Sequence, residues 1–101
     1  MAHVTTFKFK ALPGKRQAIL DIFKEWDASE RERSLGFQAS MLVVSNRDPD
    51  EFTSIVVWDT TENYNKNSER PETDAWYRKF RTNLISDPEW FDGTVVEETR
   101  A

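Results

Sequence analysis

Residues 54–60 read SIVVWDT, and residues 40–45, a little upstream, read SMLVVS. A strand sends successive side chains to opposite faces, so an antiparallel strand with one wet face alternates apolar and polar residues. Neither Met41-Leu42-Val43-Val44 nor Ile55-Val56-Val57-Trp58 alternates. Both runs therefore predict strands covered on two sides. Between them, Asn46-Arg47-Asp48-Pro49-Asp50 is turn chemistry, so strands over Phe37–Ser45 and Phe52–Asp59 are expected to pair as a hairpin.

The pattern extends outward from this hairpin. On its N-terminal side Phe7 and Phe9 alternate with Lys8 and Lys10, which predicts a strand over Val4–Ala11. Pro13-Gly14 ends it. Ile19, Ile22, Phe23 and Trp26 then recur at the i, i+3, i+4, i+7 spacing of one helical stripe. That helix is expected to run on through the charged segment 30–33 and to stop at Gly36 in a left-handed cap.

On the C-terminal side Asp59 is expected as an N-cap, with Glu62 completing a capping box ahead of a short helix that carries Tyr64. Pro71 opens a longer helix with Trp76, Phe80 and Leu84 on one face, and Asp87-Pro88 ends it. Asp92-Gly93 reads as a turn and Thr94–Glu98 as a last strand. The order βαββαβ predicts an α+β, ferredoxin-like antiparallel sheet with both helices on one face, in a single domain over residues 1–101.

Helices on one face leave the other open, yet half of each apolar run points at it. A patch of that kind marks an interface. A second copy packed sheet against sheet covers it and shields the strand edges, so a homodimer is expected. The termini are too short to do the same work.

The bulk numbers narrow the function. A chain of 101 residues buries only roughly two thirds of its unfolded surface, so association helps its stability. The net charge of −4 disfavours a phosphate-tracking surface, and no nucleic-acid partner is expected. There is no cysteine, which removes disulfides, thiolate metal sites and a cysteine nucleophile. Apolar runs stop at four residues, far short of a membrane span, and MAHVTTFKFKALPGK has no signal-like apolar region. A cytoplasmic protein is expected. Four Trp, two Tyr and seven Phe predict an aromatic core or pocket.

Three segments, ALPGKRQAILDIF, LGFQASMLVVSNRDPDEFTSIVVWDTTENY and RPETDAWYRKF, come in an order and spacing that resemble the antibiotic biosynthesis monooxygenase superfamily of dimeric α+β barrels. The resemblance covers nearly the whole chain. One departure is Leu35-Gly36-Phe37, where the family often has Pro-Gly-Phe. It implies a pocket between sheet and helices, and in members that oxidise anthrones or quinols it implies a reaction with O2 that uses no metal or flavin. An electron-rich phenol gives up a proton and then an electron to O2, and the resulting peroxide collapses to a quinone. Such a site needs dry aromatic walls and a few donors aimed at a developing oxyanion.

Carried over position by position, the resemblance makes Trp58 a donor to the substrate oxygen and Tyr64 a proton donor or acceptor. Ser54 stands where the family has Asn, as a shorter donor. An Arg that some members carry on the second long helix falls at or beside Tyr77, with Arg78 next to it, and Trp76 and Phe80 are expected as walls. Each residue also has a packing role open to it. Trp58 ends a buried strand, Trp26 and Trp76 lie on helical stripes, and Arg78 has acidic neighbours.

Other chemistries fit less well. The one histidine, His3, lies on the first strand rather than on the helix where haem-binding relatives carry their ligand. Asp48, Asp50 and Glu51 lack the wider spacing of a cation loop, and no nucleophile elbow accompanies His3. Strand three lacks the Gly-aromatic signature of an RNA-binding sheet. The remaining alternative is a dimeric barrel that binds a small molecule without turning it over.

Overall fold

A computed structural model describes residues 1–101. Four strands and three α-helices occur in the order β1 (His3–Lys10), α1 (Arg16–Ser29), β2 (Phe37–Val44), β3 (Glu51–Trp58), α2 (Thr61–Ser68), α3 (Pro71–Arg81) and β4 (Glu89–Thr94). A 3₁₀ turn over Arg31–Arg33 joins α1 to β2. The strands form one antiparallel sheet in the order β2-β3-β1-β4, the α+β ferredoxin-like arrangement expected from the sequence.

The register explains the two runs without alternation. Phe52, Ser54, Val56 and Trp58 pair with the inward side of β1, opposite Phe9, Phe7, Thr5 and His3. On the other side of the sheet, Met41, Ile55, Thr6 and Phe91 fall in one row across all four strands. The helices cover the first face. On the second, Met41 is 56%, Val43 47% and Phe91 65% exposed in the single chain.

The core is built from Phe7, Phe9, Phe52, Ile19, Ile22, Phe80 and Leu84. Phe9 stacks on Phe52 at 5.4 Å and meets the edge of Phe80 at 4.8 Å, an offset and T-shaped geometry that aromatic quadrupoles favour. Arg70 ties the start of α3 to Glu30 at 2.9 Å in a largely buried pair. Asn67, in the last turn of α2, accepts from Ser34 and Arg70.

Several boundaries differ from the sequence reading. The first helix ends at Ser29, and the charged segment beyond it closes into the 3₁₀ turn. Gly36 does take a positive φ of 86°, but it sits past that turn. A Cβ there would collide with Asp59 and Asn63, so close approach also requires glycine.

The cap of α2 is Thr60, one residue beyond Asp59. Thr60 accepts from the Asn63 N–H at 3.1 Å, while the Asp59 carboxylate accepts from the Asn63 side chain. Leu84 lies past the end of α3, in a bridge to Ala11.

The last strand is Glu89–Thr94, not Thr94–Glu98, and Asp92-Gly93 lies inside it. Gly93 has no positive φ, which an Asp-Gly turn would need; it pairs with Val4 as an ordinary strand residue. No helix is long and apolar enough to cross a membrane.

Candidate active site

Between the inner face of the sheet and the helices lies a cavity of about 340 Å³, at the lower end of the usual range for small-molecule pockets. Its floor is the inward side of β1 and β3: Thr5, Phe7, Ser54, Val56 and Trp58. Trp90 of β4 closes one side, against Phe7 at 4.6 Å and Tyr77 at 6.0 Å.

Phe37 reaches the cavity because of a β-bulge. Strict alternation from Ala39, which faces outward opposite Val57, would turn Phe37 outward as well. The register shifts between Phe37 and Ala39, so Phe37 pairs with Trp58 and meets its ring at 5.7 Å. Trp26 of α1 backs it edge-on at 5.1 Å.

The four tryptophans all line this cavity, but they differ in what their N–H groups do. Trp76 donates to the Ile22 carbonyl at 3.2 Å, which pins α3 to α1 and fixes the ring as a wall. Trp58 is 2% exposed and its indole nitrogen has no hydrogen-bond partner. The same holds for the hydroxyl of Ser54, 1% exposed, four residues back on the same face of β3. Buried polar groups are almost always paired, and an unpaired one costs about 1–3 kcal/mol. Two such groups on one face of β3, with Val56 between them and both from residues that line one cavity, are the chemical feature of this site.

Tyr64 projects from the first turn of α2 and meets Trp58 at 6.1 Å. Burial raises its hydroxyl above the ordinary tyrosine value. The nearby Asp92 carboxylate pushes the same way, and contact with Thr5 partly opposes it. The hydroxyl stays protonated through the neutral range and acts as a donor.

Behind Tyr64 is a polar cluster that the sequence did not reveal. His3 is 3% exposed and stacks on the Tyr64 ring at 4.3 Å. Its Nε2 lies 2.8 Å from the Thr5 hydroxyl and 3.3 Å from Asp92, and its Nδ1 lies 3.1 Å from Thr61. Thr5 gives its single proton to Asp92 at 2.5 Å, so its oxygen must accept from Nε2, which fixes the proton on that nitrogen. The one readable signal was that His3 and Thr5 share the strand face of Phe7 and Phe9. Asp92 was hidden because its segment read as a turn.

The structure therefore brings Ser54, Trp58, Tyr64, Trp76 and Tyr77 to one cavity. Arg78 and Phe80 are placed elsewhere. Arg78 is exposed and bound to Asp74 one helical turn away at 2.8 Å. Phe80 is fully buried behind Trp76, whose ring stacks on it at 5.1 Å.

The antibiotic biosynthesis monooxygenase family model matches residues 2–79. The chain belongs to this family. The match takes in β1 through most of α3 and stops short of β4, so Trp90 and Asp92 lie beyond it.

Solved structures with this fold include SnoaB from Streptomyces nogalater, a cofactor-independent oxygenase. It is 15% identical with a TM-score of 0.84, over 96% of this chain and 95% of that one. A Chloroflexus aurantiacus J-10-fl protein is 21% identical with a TM-score of 0.79, over 99% and 98%. A conserved protein from Methanosarcina mazei Go1 is 14% identical with a TM-score of 0.83, over 92% and 91%. At these identities the likeness is one of fold. No curated protein matches the sequence.

Proposed function

We propose that this family member is a monooxygenase that oxidises an electron-rich aromatic, a polyphenol, quinol or anthrone, with O2 and without a bound cofactor. The observation that carries the reading is the pair of unpartnered buried donors, Ser54 Oγ and Trp58 Nε1, on two residues that line a cavity with eight further aromatic side chains and a polar rim of Thr, Ser, Asn and Asp. An oxygen of the substrate supplies the acceptor both lack.

In this reading the substrate hydroxyl binds at Ser54 and Trp58, with the protonated Tyr64 as a third donor. Charge that develops on the oxygen is stabilised by dipoles already in place, inside walls that exclude water. The substrate loses its phenolic proton and passes an electron to O2. The two radicals join, and the peroxide breaks so that one oxygen atom stays as a carbonyl and the other leaves as water. SnoaB, a cofactor-independent oxygenase with the same fold, supports this class of chemistry.

A second copy of the chain is proposed to cover the row Met41, Ile55, Thr6 and Phe91. The alternative reading, binding without turnover, is favoured by the short reach of Ser54. O2 uptake with dihydroxyanthracenes, anthrones and naphthoquinols, measured against heat-denatured protein, separates the two. Protein-dependent uptake is expected, and none across the panel from folded protein would overturn the oxygenase reading.

A further inference from the structure

We propose that the cavity selects uncharged aromatic ligands and rejects those that carry a carboxylate. This rests on the cavity being a phenol site, as argued above, and adds the class of phenol it admits. Of the residues that line it, none is Lys, Arg or His; the ionisable ones are Asp74, Tyr64 and Tyr77.

No cation of the surrounding helices lines the cavity, and those of α2 and α3 are held in ion pairs. Arg78 is bound to Asp74 at 2.8 Å, Lys79 to Glu25 at 2.7 Å and Lys66 to Glu62 at 3.4 Å. Arg70 is shared between Glu30 and Glu72, each at 2.9 Å. On the sheet side the nearest charge is the Asp92 carboxylate, beside Thr5 and the Tyr64 hydroxyl. His3, the one group there able to become a cation, directs Nε2 at Thr5 and Asp92.

The field at the cavity is therefore neutral to negative. Ser54, Trp58 and Tyr64 are dipoles, as are the other uncharged polar groups of the lining, Thr5, Ser40, Asn67, Ser68 and Thr73. They suit one oxygen that is neutral on entry and gains charge only during reaction. A carboxylate arrives with full charge and would lose its hydration in a cavity lined by no cation, beside an Arg78 already neutralised by Asp74.

The test compares three ligands on one skeleton by calorimetry near neutral pH: 6-hydroxy-2-naphthoic acid, its methyl ester and its primary amide. The amide matches the acid in size but not in charge. Ester and amide are expected to bind at least about ten-fold tighter than the acid. Tyr77→Arg, which puts a cation on the wall, is expected to recover about ten-fold for the acid while the ester gains nothing.

An acid that binds as tightly as the amide, or an arginine variant in which it gains nothing, overturns the selectivity and leaves the phenol site standing. Failure of all three ligands to bind overturns the phenol site itself, and the selectivity with it.

Discussion

His3 and Tyr64 lie with ring centroids 4.3 Å apart and planes 18° apart, so the strand that opens the chain supports the tyrosine that faces the cavity. This packing, with Asp92 close by, holds the Tyr64 hydroxyl in its protonated form. The folded protein keeps that proton to a higher pH than the unfolded chain does. Above about pH 10, where a free tyrosine ionises, the unfolded state loses its proton first, and stability falls as pH rises towards the folded value. Thermal unfolding from pH 9 upward should show this decline in the wild type and a shallower one in Tyr64→Phe. Parallel curves would refute the protonated, half-buried Tyr64.

Ser54→Ala should separate stability from function. The hydroxyl is buried without a partner, so its removal is expected to leave stability unchanged or raise it by up to about 1 kcal/mol in urea unfolding at fixed protein concentration. O2-dependent turnover of the best quinol should fall by about 10-fold or more. A variant that loses stability would show that this hydroxyl has a partner within the fold.

Trp58 and Trp76 line the same cavity and predict opposite results. Trp76→Phe breaks the bond to the Ile22 carbonyl, which keeps its own helical bond within α1, so it should cost about 0.5–1.5 kcal/mol beyond the lost ring area. Trp58→Phe breaks no bond within the fold. Its loss should appear in turnover, by about 10²-fold, as for removal of one oxyanion donor. Equal effects of the two substitutions on both readouts would remove the special role of Trp58.

Most of the fold was legible because it rests on period and punctuation. The β2 and β3 runs, the α1 stripe and Pro71 at the start of α3 each carry a local signal that packing reinforces. β4 was misread because Asp92-Gly93 resembles a turn locally, while pairing with β1 holds the segment extended. The donors Ser54 and Trp58 were suggested by resemblance, but their lack of partners is a property of packing. Arg78 and Phe80 show the limit of helical position alone, since one residue beyond Tyr77 turns a side chain to solvent and one turn beyond Trp76 carries it past the cavity into the core. His3 and Asp92 meet across 89 residues of sequence, which no local pattern encodes.

The outer face of the sheet gives the last prediction. Ile55 sits within the row Met41, Ile55, Thr6 and Phe91, whose two ends, Met41 and Phe91, are largely exposed in the single chain. If a second copy covers this row, sedimentation equilibrium should give twice the 11.9 kDa chain mass for the wild type. Ile55→Glu would set two like charges against each other across the two-fold in an apolar contact and should shift the mass towards the single chain. Arg78→Glu, on the far side of the helices, should leave it unchanged. A wild type that sediments at the single-chain mass would mean that the face stays open, and the dry character of the two apolar runs would then need another cause.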